Sequence, residues 1–449
     1  MILANQAELH AMENAASDVS GNISRVILHP SVFIALRMSE PTTIRFMVAN
    51  IGTLLSLTFS ENVSSAESTS SFEILLMMIP EITSALIGDG IFYNFVNKLL
   101  SFDQNDSVIG RLSNLTFKLI ESGLPGSLDS CGFLFKLLKY ADNTSVTDLF
   151  VGLLEVNQEF EMVQRWMANR CFSNLIINHL KELEIENVSN NQFMSVEIEK
   201  LCSFYEMIEM GIKNPILNHS FKGKDIIESL SYKQELVCFA EEQRWKAIIA
   251  LTNSISNKSG IDQLKPLILL AKKFLMALVS DNSSALRNQP LQNSPSNSTE
   301  NPQPHVYHLQ IINFLQITLP NSYDSEIIQN LLTILKKFPN CSYFHLEIIN
   351  FIRQAMKDKL VDDKTLKIIA KYVVSRVQET TQGSVAHATA MKLFIDVSKF
   401  VKKHRKAKKA TEKVEGFEKY AKVQLKSYLK MMDAEYGKEP RKFSLFNKV

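Results

Sequence analysis

The chain is a succession of short segments whose apolar residues recur at helical spacing. In one of them, Ile327, Ile328, Leu331, Leu332 and Leu335 fall on a single stripe of a helix. The alternating, β-branched segments that strands need are missing, and only 15 glycines and 13 prolines interrupt 449 residues. These patterns predict an all-α fold.

Each predicted helix has one apolar stripe and one polar face, so it cannot bury its stripe alone. A run of such helices, joined by connections of a few residues, stacks most simply into an α-solenoid. No exact repeat length is readable, which favours irregular HEAT- or armadillo-like helical repeats over tetratricopeptide or ankyrin repeats. A compact bundle is the alternative. Segments such as Thr42 to Phe59 and Phe160 to Leu180 are predicted to be single helices.

Two segments interrupt the helical pattern. Glu61 to Ser70, ENVSSAESTS, is predicted to be a Ser-rich acidic loop. Residues 281–304, which are rich in Asn, Ser and Pro, are predicted to be a flexible insertion because they offer almost nothing to bury. This insertion would separate an N-terminal helical-repeat block, residues 1–280, from a C-terminal block, residues 305–435, that continues the same solenoid. Residues 436–449 would form a polar tail.

Charge and cysteine content restrict the location and partners of the chain. The formal charge of +2 comes from 49 basic and 47 acidic residues, so no long-range field steers the whole surface, and nucleic acid is not an expected partner. The N-terminus lacks the order of a signal peptide, and charged residues or Pro interrupt each long apolar run, so no membrane span is predicted. Five scattered cysteines are typical of free thiols in a reducing compartment. We therefore expect a cytoplasmic protein, with the nucleus as a second location.

One short run is strongly basic. It follows Val397 and continues to Lys413. The candidate patch consists of Lys402, Lys403, Arg405, Lys406, Lys408 and Lys409. Such a run binds nucleic acid, acidic lipid or an importin, or it is simply a solvated helix face.

The strong signatures of enzymes are missing from the sequence. It has no Gly-rich phosphate loop, CxxC pair, HExxH helix or GxSxG elbow, so we expect no catalytic residue, no cofactor and no metal. His305 and His308 can share a helical face, but a metal site needs further ligands beside them. A helix start or a partner contact is the better interpretation of this pair. Trp166 and Trp245 are predicted to line the core rather than to anchor a partner.

The segment KFPNCSYFH, residues 337–345, separates two strongly patterned helices. Pro339 forces Phe338 out of the helical region, and Asn340 or Ser342 can cap the helix that follows. The predicted apolar stripe of that next helix consists of Leu346, Ile349, Ile352 and Met356.

This segment also resembles a family signature. It is similar to the Lys-aromatic-Pro-Trp-Asn-Asn-Phe-Leu-His stretch of the SAPS-domain family, the regulatory subunits of protein phosphatase 6 and its fungal relative. The residues that fit are Lys337, Phe338, Pro339, Tyr343, Phe344 and His345, whereas Asn340, Cys341 and Ser342 depart. Downstream, GSVAHATAM resembles the family's Gly-Tyr-Met-Gly-His-Leu-Thr motif through Gly383, His387 and Thr389. Weaker similarity upstream includes Asp148 and Trp166.

The resemblance implies a non-catalytic scaffold that binds a phosphatase 6-type catalytic subunit and directs its substrate choice or location, together with further scaffold proteins. His345 and His387 would then lie at helix starts, where they either bridge adjacent repeats or face the partner. Two alternatives remain open. One is a generic HEAT-like adaptor with other partners, and the other is a nucleic-acid or membrane-associated protein that works through Lys399 to Lys413.

Overall fold

The computed structural model describes residues 22–60, 65–185, 196–231, 238–255, 258–280 and 303–435, together with Asn14, Ala16 and Leu236. Every regular element among these residues is helical, so the prediction of an all-α, solenoid-like fold is confirmed. The chain divides into two compact units, unit 1 (Met1–Ile226) and unit 2 (Ile227–Val449).

Unit 1 contains short helices, many of them of nine residues or fewer. In chain order they are α1 (Ile23–Ile27), α2 (Val32–Arg37), α3 (Pro41–Ala49), α4 (Ile51–Phe59), α5 (Ser65–Leu76), α6 (Pro80–Ile87), α7 (Ile91–Leu99), α8 (Asp106–Glu121), α9 (Ser127–Ser130), α10 (Thr144–Leu154), α11 (Glu161–Asn169), α12 (Phe172–Ile185) and α13 (Val196–Lys213). Short 3₁₀ segments lie at Gly88–Gly90, Leu134–Tyr140, Gln158–Phe160 and Asn218–Lys222. The unit contains one continuous row of neighbouring helices, which pack side by side in the order α4, α8, α10 and α13.

Unit 2 has longer helices. They are α15 (Cys238–Ser254), α16 (Lys258–Gln263), α17 (Lys265–Val279), α18 (Val306–Ile317), α19 (Ser325–Lys337), α20 (Ser342–Lys357), α21 (Asp363–Glu379), α22 (Val385–Lys403), α23 (Arg405–Glu412), α24 (Phe417–Lys422) and α25 (Gln424–Glu435). Helix α14 (Lys224–Leu230) spans the division between the units.

The helices of unit 2 alternate between two layers. One layer stacks α15, α18, α20 and α22, and the other stacks α17, α19, α21 and α23. Sequence neighbours such as α19 and α20, or α21 and α22, pack across the two layers. This alternation is the pattern of an α-solenoid, in which each helix covers the apolar stripe of its neighbours.

Thr42–Phe59 and Phe160–Leu180, predicted to be single helices, are each broken into two. Asn50 divides Thr42–Phe59 into α3 and α4, which are bent by 70°. The Asn50 side chain donates to the Phe46 carbonyl oxygen at 2.9 Å, and the Asn50 backbone N–H donates to the same oxygen at 3.1 Å, so both donors of Asn50 bond to the end of α3. Between α11 and α12, Cys171 adopts a left-handed φ of 54°, a conformation that ends a helix.

The Ser-rich segment is helical, so its prediction as a loop is wrong over residues 65–70, which begin α5. Residues 61–64 lie outside the described residues. The Ser68 hydroxyl donates to the Thr58 carbonyl oxygen of α4 at 3.2 Å, and the Ser71 hydroxyl donates to the Glu67 carbonyl oxygen at 2.8 Å. Because these hydroxyls have acceptors, serine serves here as a small buried residue.

The predicted insertion and tail lie largely outside the described residues, which exclude 281–302 and 436–449. Helices on both sides of the insertion belong to unit 2, and α15 packs against α18. The division between compact units therefore falls at Ile226 and Ile227.

Among the described residues, no single helix is long and apolar enough to cross a membrane. Two bent pairs, Pro41–Ala49 with Ile51–Phe59 and Ser65–Leu76 with Pro80–Leu99, reach the required length and hydropathy only when their two parts are joined.

Candidate functional site

The junction between α19 and α20 contains the first of the two family-like segments. Phe338 is the C-cap of α19 with φ −120° and ψ 66°, so the predicted end of this helix before Pro339 is confirmed. The predicted capping of the next helix is wrong. The N-cap of α20 is Cys341, which makes no side-chain cap hydrogen bond, and Ser342 is the first helical residue.

His345 occupies a core position of α20. Its side chain is 2% exposed, whereas Leu346, which the sequence analysis placed in the apolar stripe, is 42% exposed. The buried residues Ile349, Ile352 and Met356 follow His345 at intervals of four, seven and eleven positions. This spacing is the signal that could have identified His345 as a member of the stripe, although a polar ring is not expected there.

Two hydrogen bonds compensate for the burial of His345. Its Nε2 atom lies 2.8 Å from the Phe338 carbonyl oxygen, and its Nδ1 atom lies 2.8 Å from Thr389 Oγ1 on α22. A carbonyl only accepts, so Nε2 carries the ring proton and the Thr389 hydroxyl donates to Nδ1 in the neutral ring. His345 therefore joins the end of α19, the start of α20 and the start of α22.

The His345 ring is held neutral. Burial lowers its pKa, the hydrogen bond to the Phe338 carbonyl opposes this effect, and the positive charge of Arg376 lowers the pKa further. A neutral ring with both nitrogens engaged has no free position for proton transfer to a substrate. This geometry suits a packing role.

Histidines recur in the first turns of three successive helices of one layer. His308 in α18, His345 in α20 and His387 in α22 each stand at the third or fourth helical position. The His308 ring lies 6.2 Å from the Phe344 ring, and its Nδ1 atom accepts from the His305 backbone N–H at 3.0 Å. The pair of histidines thus caps the start of α18. We call these three side chains the first-turn histidine row.

The second family-like segment forms the turn before α22. Gly383 has φ 90°, a conformation that disfavours residues with a Cβ atom. Ser384 caps the helix by accepting from the His387 backbone N–H at 3.1 Å. His387 Nδ1 lies 3.2 Å from Thr380 Oγ1, and the Thr380 hydroxyl itself donates to the Arg376 carbonyl oxygen. His387 therefore closes its own turn, whereas His345 bridges two repeats.

Exposed side chains lie beside the histidine row. Tyr343 is 75% exposed, Leu346 is 42% exposed and Val306, at the start of α18, is 59% exposed. Phe344 is buried, whereas Lys337 and Pro339 are half-buried. We call Val306, Tyr343 and Leu346 the exposed edge. Large apolar side chains in water are available for contact with a partner.

Asp148 and Trp166 belong to unit 1. Asp148 is exposed on α10. Trp166 on α11 is half-buried, stacks on Phe135 with ring centroids 4.9 Å apart, and lies 5.5 Å from the Arg170 guanidinium. The prediction that an indole lines the core is confirmed for Trp245, which is fully buried in unit 2, whereas Trp166 is only partly covered.

The basic patch lies at the end of α22 and on α23. Lys402 and Lys403 are in the last turn of α22, and all six predicted residues are exposed: Lys402, Lys403, Arg405, Lys406, Lys408 and Lys409. Helix α23 buries Ala407, Ala410 and Thr411 instead. The cations thus form the outer face of an amphipathic helix.

In the part of the chain that the structure describes, no group of three or more His, Cys, Asp or Glu side chains is placed to hold a metal ion. Comparisons with family models, with curated proteins and with solved structures return no match.

Proposed function

We propose that this chain is a non-catalytic regulatory subunit that binds a protein phosphatase 6-type serine/threonine phosphatase catalytic subunit and directs its substrate choice or location. The observation that carries the proposal is the ordered pair of segments that resemble the SAPS-domain family, KFPNCSYFH and GSVAHATAM. Both segments form turns between the layers of unit 2. Support comes from the hydrogen bond between His345 of the first segment and Thr389 of the second, because this bond joins the two segments directly in the core of unit 2.

The exposed edge is the proposed contact surface. Tyr343 lies within the first segment and next to the buried pair Phe344 and His345, so its backbone is held by the core. Tyr is enriched at binding hot spots because it combines a large apolar ring with a polar tip. An α-solenoid offers such side chains on a rigid surface to a globular partner.

The test is purification of the tagged full chain from cells, followed by mass spectrometry and by a binding measurement with purified phosphatase 6 catalytic subunit. The edge variant is Tyr343→Ala with Leu346→Ser. The matched control is Leu269→Ser with Met276→Ser, two exposed apolar residues of α17 in the other layer. We expect the parent and the control to bind the catalytic subunit, and the edge variant to bind at least about tenfold more weakly.

Two results would contradict the proposal. If the intact parent chain recovers no phosphatase catalytic subunit and does not bind the purified one, the chain is not a subunit of this kind. Recovery of a consistent set of other proteins would instead identify a general helical-repeat adaptor. If the edge variant and its control bind equally well, the contact surface lies elsewhere.

A further inference from the structure

Positive charge is concentrated at the C-terminal end of unit 2. Residues 399–430 contain twelve of the chain's 49 Lys and Arg residues but only three of its 47 Asp and Glu residues. The rest of the chain therefore has 37 basic and 44 acidic residues. The near-neutral total is the sum of a basic C-terminal segment and an acidic remainder. We call the twelve cations of residues 399–430 the C-terminal basic surface.

These cations face solvent, and most have no ion-pair partner in the described part of the chain. All twelve side chains are exposed. Lys408 lies 4.0 Å from Glu412, and Lys422 lies 2.6 Å from Glu418. Among the described residues, no carboxylate lies within ion-pair distance of the other ten. The described carboxylates thus leave most of their mutual repulsion uncompensated, which favours binding of an external polyanion.

The helices hold the cations on an outer surface. His404 separates α22 from α23 with an extended backbone, φ −128° and ψ 106°. Ala407 and Ala410 pack inward, so Lys406 and Lys409 point away from the core. Lys402 and Lys403 continue the surface across the break. The charge is therefore displayed by ordered helices that pack on α21 and α22.

The composition of this surface fits an anionic bilayer better than a nucleic acid. Eleven of the twelve cations are Lys and only Arg405 is Arg, whereas bidentate recognition of phosphates and bases favours Arg. None of the aromatic side chains of residues 399–430 is exposed for base stacking. Two aliphatic side chains are exposed among the lysines, Val423 at 63% and Leu429 at 43%. Lysines mixed with exposed aliphatic residues are typical of helices that lie on the headgroup region of a membrane.

We propose that the C-terminal basic surface docks unit 2 on an anionic lipid bilayer. Lysines attract the negative headgroups over a diffuse area, and Val423 and Leu429 enter the boundary between headgroups and acyl chains. This surface docking requires no membrane-spanning helix. It is also independent of the phosphatase proposal, because none of the exposed-edge residues takes part.

The test is co-sedimentation of the full chain with vesicles of phosphatidylcholine alone and of phosphatidylcholine with about 30% phosphatidylserine. The charge-reversal variant is Lys402→Glu, Lys403→Glu, Lys406→Glu and Lys409→Glu. The matched control reverses four exposed lysines elsewhere in unit 2, namely Lys336, Lys357, Lys364 and Lys371. Circular dichroism melting curves establish that each variant folds.

We expect the parent chain to bind only the phosphatidylserine vesicles and to be released when salt is raised to about 0.5 M, because salt screens the attraction. The charge-reversal variant should bind on the order of 1,000-fold more weakly, and the control should bind like the parent. Val423→Ser should weaken binding about threefold, by the loss of aliphatic contact alone.

Three results would overturn the proposal. The first is failure of the folded parent chain to bind phosphatidylserine vesicles. The second is an equal loss of binding in the charge-reversal variant and its control, which would indicate dependence on net charge alone. The third is tighter binding of a fluorescent DNA duplex or single-stranded RNA than of vesicles, which would assign the surface to nucleic acid.

Discussion

The Nδ1 atom of His345 lies 2.8 Å from the Oγ1 atom of Thr389, although 44 residues separate the two in the sequence. Both side chains are buried, His345 at 2% and Thr389 at 7% exposure. The same ring reaches the Phe338 carbonyl oxygen, which also accepts from the Cys341 backbone N–H at 3.3 Å. A polar ring is therefore a structural link between consecutive repeats of unit 2.

Thr389→Val should destabilise unit 2 by about 1–3 kcal/mol, because it replaces the hydroxyl by a methyl group and leaves His345 Nδ1 buried without a partner. Urea unfolding in a Trp166→Phe background measures this, since Trp245, fully buried in unit 2, is then the single indole. Thr333→Val is the control, because the exposed Thr333 hydroxyl bonds only within its own helix. Equal effects of the two substitutions would show that the link to His345 contributes nothing.

The stability of unit 2 should fall with acidification below about pH 6.5. Burial lowers the pKa of His308 to about 3 and lowers the pKa of His345 as well. Below the pH at which an unfolded histidine titrates, the unfolded chain binds protons that the folded chain does not, at about 1.4 kcal/mol per pH unit for each histidine. Above that range neither group contributes to the pH dependence.

Melting temperatures between pH 7.5 and 5.5 check this dependence. His308→Gln is the informative variant, because a glutamine side chain at the third helical position can still accept from the His305 backbone N–H and does not titrate. Its melting temperature should decrease less steeply on acidification than that of the parent. Identical slopes would mean that His308 is protonated as easily in the folded chain as in the unfolded one.

Gly383→Ala should destabilise unit 2 by about 1–2 kcal/mol. The cause is the backbone, since φ is 90° and the space around a new Cβ atom is open. Gly383→Asn should cost less, because Asn tolerates positive φ better than other residues with a Cβ atom. Unfolding free energies measured with Trp245 as the reporter distinguish the two variants, and a greater loss in the Asn variant would argue against a backbone cause.

Arg244→Met should destabilise unit 2 by about 3–5 kcal/mol, because it removes the Arg244 guanidinium from the buried Glu241 carboxylate. The pair is fully buried, with Arg244 Nε 3.0 Å from Glu241 Oε2 and Arg244 Nη2 2.6 Å from Glu241 Oε1. Adding Glu241→Gln to this variant should restore part of the loss, since the carboxylate that lost the Arg244 guanidinium is then replaced by a neutral amide. A double variant as unstable as the single one, in calorimetric melting, would contradict this account.

Part of the functional site was predictable from residue spacing. The stripe of α19 from Ile327 to Leu335 is buried as predicted, and Phe338 ends that helix before Pro339. The error concerns the start of α20, where Leu346 faces solvent and His345 faces the core. Hydropathy favours Leu over His for burial, and only the two hydrogen bonds of His345 reverse that preference, one donated to the Phe338 carbonyl and one accepted from the Thr389 hydroxyl.

The helical fold class was readable from the amino-acid pattern, because apolar residues at helical spacing form a continuous stripe only on a helix. The same pattern also located the basic run and the turn at Pro339. The positions of the helix breaks, the burial of Ser68 and the contact between His345 and Thr389 became visible only in the folded chain. Burial of a polar group depends on a partner that is distant in the sequence, and only folding brings that partner within hydrogen-bonding distance.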